Sequence, residues 1–317
     1  MWDKVLIIVL FLLGLILIIK GGDFFVDAAS WIAEVSGIPK LIIGATIVSV
    51  ATTLPELIVS IMAALQDSVD LAVGNAVGSV TANTGLIMAM ALIFMAGPIK
   101  RKDYLVKSIL LLSASALILI CGFIGEVNII LSLLFLAIFI TFIVENIISA
   151  KKGGLDLDNQ EAVKKDKKTI IVNIIKFILG AGAIVWGADL LVDNGTEIAK
   201  WLHVSERIIG VTIVAVGTSL PELITTVTAI VKKEASLSAG NIIGANILDL
   251  TLIMPLCAVV SGNSLPIPST SIIDLAACLV VGLLLIVPAI ILSKFKKWQG
   301  YTLLVVYASY IVVTCIL

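Results

Sequence analysis

The sequence predicts an all-α polytopic membrane protein, with about ten transmembrane helices arranged as two inverted five-helix repeats. Three observations predict it. The chain of 317 residues is 60% hydrophobic and only 14% charged, where a soluble domain carries about 25% charged residues. Apolar runs close to the roughly 20 residues that a spanning helix needs recur along its whole length. The stretch Gly44–Leu57, GATIVSVATTLPEL, also returns as Gly210–Leu223, GVTIVAVGTSLPEL, with ten of fourteen positions identical.

The first apolar run, Val5–Ile19, has the character of a secretory leader. No small-residue cleavage site follows it, however, and its sequel GGDFFVD (Gly21–Asp27) is echoed by GADLLVD (Gly187–Asp193), so it reads as a retained first helix. The next four spans are Leu41–Leu65, Leu71–Met95, Tyr104–Cys121 and Val127–Ile148. A second set follows at Thr169–Leu191, Ile208–Val231, Leu237–Val260, Ile272–Leu292 and Tyr301–Leu317. Between the sets, residues 150–168 form the one long polar segment, read as a flexible linker between a first repeat at 1–149 and a second at 169–317.

Asp23 and Asp189, Gly44 and Gly210, Glu56 and Glu222, Gly74 and Gly240, and Asn83 and Asp249 all share one offset of 166 residues. Such a gap-free register decides the architecture. Five spans per copy is an odd number, so the second copy enters the membrane from the opposite side. This is the plan of many secondary transporters, which bind substrate at the midplane where the repeats meet.

Charge fixes the orientation. Lys100, Arg101 and Lys102, then Lys151, Lys152, Lys164, Lys165, Lys167 and Lys168, then Lys232 and Lys233, then Lys294, Lys296 and Lys297 follow spans three, five, seven and nine. The opposite connections hold little beyond Lys200 and Arg207. The first set is then cytoplasmic and both termini are extracellular, in the cell membrane. Asp67 and Asp70 fall in a short external turn.

A net charge of −1 points to no nucleic-acid partner. Cys121, Cys257, Cys278 and Cys315 lie scattered in apolar segments and read as small buried side chains. The single His203 leaves imidazole chemistry almost nothing to work with. No enzyme chemistry is indicated: the acids of GGD and GAD could suggest an intramembrane aspartyl protease, but they sit at predicted helix ends without a paired motif.

The repeated stretch carries the chemistry. Glu56 and Glu222 each follow a proline inside an apolar run, and an intramembrane carboxylate marks a functional site by default. Pro55 and Pro221 free the carbonyls of Ala51 and Gly217. Thr46, Ser49, Thr53, Glu56 and Ser60 form one helical stripe, matched by Thr212, Ala215, Ser219, Glu222 and Thr226. Carboxylates, hydroxyls and loose carbonyls make a set of hard oxygens suited to calcium and other hard cations. In the following spans, GNAVGSVTAN (Gly74–Asn83) and GNIIGANILD (Gly240–Asp249) put Asn75, Ser79 and Asn83 on one face, and Asn241, Ala245 and Asp249 on another. Their GxxxG spacings predict close crossings of spans two with three and seven with eight. Asp23, Asp27, Asp189 and Asp193 are expected to serve structure or gating at helix ends, while Glu145 and Asp274 are expected near the interfaces, solvated or snorkelling.

These paired motifs resemble the alpha-repeats of the cation/calcium exchanger superfamily, and within it the prokaryotic sodium/calcium exchangers. The resemblance implies ten helices, a central site for calcium and sodium, and alternating-access antiport, with no cofactor beyond the transported ions. It implies Glu56 and Glu222 as calcium carboxylates, with backbone carbonyls from Thr52 and Thr218. Thr53, Ser79 and Ser219 would add sodium ligands, Ser49 and Ala215 carbonyls, and Asn83 and Asp249 would complete the centre. Ala51 and Thr53 stand where the family usually has Gly and Ser, and Ala245 replaces an expected Ser, so one hydroxyl is missing. Asp249 set against Asn83 breaks the symmetry. A calcium/proton or potassium-dependent exchanger is the alternative; the proton-coupled branch tends to place a glutamate where this chain has Gly78 and Gly244. The expected partners are calcium, sodium and the lipid bilayer, with the chain working as a monomer.

Overall fold

The computed structural model describes residues 2–153, 166–201, 217, 219–262 and 264–316. Their helices are α1 (Trp2–Ser36), α2 (Lys40–Thr52), α3 (Leu54–Leu65), α4 (Val69–Met95), α5 (Arg101–Ile124) and α6 (Ile129–Gly153). After the central segment come α7 (Lys167–Trp201), α8 (Leu220–Val231), α9 (Ala235–Val260), α10 (Ile272–Leu292) and α11 (Lys297–Ile316). Seven are long and apolar enough to cross a bilayer, or eight with the bent pair α2–α3 taken as one span. The linker's residues 154–165, the first part of the seventh predicted span and His203 lie outside the described residues.

Burial sorts the helices into layers. In α9, 83% of the membrane window is buried inside the protein, and in α4 72%, against 22% in α1 and 17% in α7. The long pair α1 and α7 therefore lies at the rim, facing lipid, while α4 and α9 form the centre. Each of the rim helices runs 35 residues, so the first span continues well past Ile19 to Ser36. Asp23 and Asp27 consequently lie within α1 rather than at its end. They pair with Lys232, which sits 2.7 Å from Asp27 Oδ1 and 3.5 Å from Asp23 Oδ1.

Glycines let α1 and α7 touch backbone to backbone. A Cβ on Gly14 would stand 2.9 Å from the Gly187 carbonyl oxygen, and one on Gly187 would stand 2.9 Å from that of Gly14. Gly21 and Gly180 are related in the same way, at 2.9 and 2.8 Å. Numbers rise along one helix as they fall along the other, so the pair is antiparallel. A shift of 166 residues converts Gly14 to Gly180 and Gly21 to Gly187, exchanging one contact for the other. That self-complementary pattern is the signature of a twofold relation.

The ends of the helices repeat it. Strand β1 (Glu126–Asn128) pairs antiparallel with β2 (Ser264–Pro266), with Asn128 opposite Ser264. The bridge between Pro98 and Lys294 is the image of that pairing under the same shift, and the Ile99 N–H donates to the Ser293 carbonyl at 3.1 Å beside it.

Two expectations are corrected here. The GxxxG glycines of α9 meet α2 of the other half: a Cβ on Gly240 would lie 3.0 Å from Ala45 N, and one on Gly244 would lie 2.6 Å from Ser49 Oγ. Glu145 is not solvated at an interface. It accepts from the fully buried Lys107 ammonium of α5 and, at 2.8 Å, from Ser149 Oγ. Removing one partner of such a pair strands a buried charge, at a cost of about 3–5 kcal/mol. Lys107→Met should thus lower the thermal midpoint sharply, while Lys107→Met with Glu145→Leu should recover most of it; a double variant no better than the single would refute the pairing. Asp274, expected near an interface as well, accepts from the Tyr310 hydroxyl at 2.8 Å.

Candidate functional site

The predicted single span Leu41–Leu65 is broken. The axes of α2 and α3 differ by 46°, with the bend at Thr53 (φ −83°, ψ −4°). Ser219, its repeat mate, has nearly the same backbone (φ −87°, ψ 8°) before α8. Pro55 and Pro221 supply the cause: each lacks an N–H and crowds the carbonyl four residues back. Each ladder resumes in the same way, Leu57 N–H to the Thr53 carbonyl at 3.0 Å and Leu223 N–H to the Ser219 carbonyl at 3.0 Å. Glu56 and Glu222 therefore stand in the first turn of a new helix, where the partial positive charge of the helix N-terminus favours a carboxylate.

The stripe faces inward. Ser49, Thr53, Glu56 and Ser60 are buried, while Ile47, Val50, Leu54 and Ile58 of the same segment are exposed to the lipid side. On the central helices, Asn83 and Asp249 each open a π-helical turn, Asn83–Met88 and Asp249–Ile253. Such turns loosen the backbone ladder and recur at functional sites.

These pieces converge. Glu56, Glu222 and Asp249 lie within electrostatic reach of one another, and the Thr52 and Thr53 hydroxyls lie beside the Glu222 carboxyl. Ser49 backs onto Gly244 of α9, and Ser79 is buried on α4 one turn before Asn83. Thr218 and Ala215 lie outside the described residues, as does Thr212.

Among the described residues, no hydrogen bond reaches Thr53 Oγ1, Asn83 Oδ1, Ser219 Oγ or either carboxylate oxygen of Glu56, Glu222 and Asp249. Buried polar atoms in native proteins are almost always paired, and these nine oxygens, unpaired among the described residues, are free to take an ion. No three His, Cys, Asp or Glu side chains close around one point among the described residues. A cation held here would thus complete its shell with hydroxyl and carbonyl oxygens, the ligand type of calcium and other hard cations.

Asparagines brace the site, and sequence reasoning gave them too little weight. Asn75 Nδ2 donates to the Glu56 carbonyl at 3.2 Å and to Ser60 Oγ at 2.9 Å. Asn241 joins the two halves, accepting from Thr52 Oγ1 at 3.2 Å and donating to Thr225 Oγ1 at 3.1 Å. Asn246 Nδ2 donates to Thr84 Oγ1 at 2.8 Å, tying α9 to α4 beside Asn83. The one signal for these was the asparagine content of GNAVGSVTAN and GNIIGANILD.

A model of the sodium/calcium exchanger protein family matches residues 6–148 and 172–316. The inner membrane protein YrbG of Escherichia coli is 34% identical over 258 residues, covering 80% of this chain and 79% of that one. The sodium/calcium exchanger MaX1 of Methanosarcina acetivorans is 29% identical over 346 residues, covering 95% of this chain and 96% of that one. A solved structure of the sodium-calcium exchanger NCX_Mj superposes with a TM-score of 0.82 at 29% identity, over 98% of this chain and 99% of that one. With nearly its whole length matched and a centre of unpaired oxygens at the repeated motifs, the chain belongs to the sodium/calcium exchanger protein family.

Proposed function

We propose that this protein exchanges sodium for calcium across the cell membrane by alternating access. The observation that carries the reading is the group of nine buried side-chain oxygens, unpaired among the described residues, at the starts of α3 and α8 and on the central helices. Three carboxylates cannot comfortably stay ionised and empty in a low-dielectric core. Occupied states are favoured, and the protein crosses between its inward and outward forms with one calcium or several sodium ions neutralising the site. A ligand shifts such an equilibrium only through its differential affinity for the two forms, so coupling follows when sodium and calcium compete for shared oxygens.

In this reading Glu56 and Glu222 hold calcium with the Thr52 and Thr218 carbonyls. Thr53, Ser79, Ser219 and the Ser49 and Ala215 carbonyls serve sodium, and Asn83 and Asp249 complete the centre. The chain crosses the membrane about ten times, as two inverted five-span repeats at 1–149 and 169–317, joined by a cytoplasmic linker at 150–168, with both termini extracellular. The exchanged glycine contacts of α1 and α7 support the inversion. The ions are the cargo; no resident cofactor is needed, and a monomer suffices.

The test is calcium uptake into sodium-loaded proteoliposomes diluted into sodium-free medium, with the pH gradient varied separately. Uptake is expected to require internal sodium. Uptake that follows the pH gradient and ignores sodium would instead establish calcium/proton exchange.

A further inference from the structure

Thr52 Oγ1 carries one proton and makes hydrogen bonds to the Ser49 carbonyl at 3.3 Å and to Asn241 Oδ1 at 3.2 Å. The Ser49 carbonyl already accepts the Thr53 N–H at 2.9 Å. A carbonyl oxygen has two lone pairs, so only one remains, and the Thr52 proton competes for it with any cation. The Glu222 carboxyl beside Thr52 is exposed to the same competition.

The orientation of Asn241 is set from its other side. Thr225 Oγ1 donates its own proton to the Pro221 carbonyl at 2.8 Å, shared with the Glu222 carbonyl at 3.0 Å. It can then only accept, so Asn241 must present its amide N–H there, which turns Oδ1 towards Thr52. All three side chains are buried, at 2%, 1% and 3% exposure for Thr52, Asn241 and Thr225, so bulk water does not compete for these bonds. The amide belongs to the second half of the chain and the oxygen it protects to the first.

We propose that Asn241 is a positioning residue for the ion site: by accepting the Thr52 hydroxyl proton, it keeps the second lone pair of the Ser49 carbonyl free for a cation. This rests on the reading that the Ser49 carbonyl is a sodium ligand. Asn241 itself need not touch an ion. Without it, the Thr52 hydroxyl turns wholly onto the Ser49 carbonyl or the Glu222 carboxyl, and sodium must displace a hydrogen bond in order to bind.

The experiment measures the sodium half-saturation of calcium uptake in proteoliposomes holding the full chain. Asn241→Leu removes the acceptor and should raise it about three- to tenfold, the worth of one hydrogen bond. Adding Thr52→Val removes the competing proton and should return the half-saturation to within about twofold of wild type. A purely structural role for Asn241 predicts no rescue, so a double variant as poor as Asn241→Leu overturns the proposal. If Asn241→Leu does not fold, Thr225→Val, close to isosteric, frees the amide to rotate. It should raise the half-saturation in the same direction and be rescued by the same Thr52→Val, and an absence of either change overturns the proposal. Sodium-independent uptake by the wild type would overturn the exchanger reading itself, and this proposal with it. Sodium-dependent uptake without rescue would leave that reading standing and remove only the role given to Asn241.

Discussion

Glu56→Gln should abolish calcium uptake, with a loss in calcium affinity on the order of a hundredfold or more. Gln keeps the shape and one carbonyl oxygen but removes the charge, and in a buried site a divalent cation depends on that charge more than on the count of oxygens. Glu222→Gln should match it, because the two residues occupy equivalent first-turn positions after equivalent prolines. Folding gives the control. No side-chain donor stands at the Glu56 carboxylate among the described residues, so neutralising it relieves repulsion from Glu222 and Asp249 without breaking a side-chain contact. The ion-free Glu56→Gln variant should therefore unfold at or above the wild-type temperature. What it should lose is stabilisation by calcium, about 2.7 kcal/mol for the wild type at a hundred times its dissociation constant. A variant that keeps the calcium-dependent rise in midpoint would remove Glu56 from the site.

Gly240→Val should be among the most damaging single changes away from the carboxylates. A Cβ at Gly240 would meet the Leu41 carbonyl oxygen and lie 3.0 Å from Ala45 N. Both are backbone atoms of α2 and cannot rotate away as a side chain would. Relief requires α2 to move off α9, and α2 carries Ser49 and Thr52 and leads into Glu56. Overpacking of a core costs about 1–3 kcal/mol, and more where the neighbour is rigid; we expect the upper end, seen as a lowered thermal midpoint together with loss of the calcium response. Gly182→Ala is the comparison, since a Cβ there meets no atom within 4 Å among the described residues. It should be neutral or slightly stabilising through helix propensity. Equal damage from both substitutions would mean that the crossing of α2 and α9 is not what Gly240 serves.

The sequence by itself determined the membrane class and the repeat, and it singled out Glu56, Glu222 and Asp249 as the acids of a candidate site. Composition is enough for the first, since a chain this apolar can satisfy its exposed surface only in lipid. The 166-residue register is enough for the second, because identity at a fixed offset needs no knowledge of neighbours. The stripe from Ser49 to Ser60 was legible because helical periodicity says which residues share a face, and a buried glutamate on that face has few bland explanations. Tertiary structure alone decided what each face meets. The GxxxG of α9 packs on α2 across the halves, although the same spacing would have served a crossing with α8. Lys107 and Glu145 find each other from different helices, and Asn241 reaches Thr52 across 189 residues of chain. The extension of α1 through Asp23 and Asp27 likewise depends on a partner: Lys232 arrives from the α8–α9 connection to pair those charges. Periodicity reports the side of a helix that must be buried; only the packing of a second, distant segment against it fixes which atoms it is buried against.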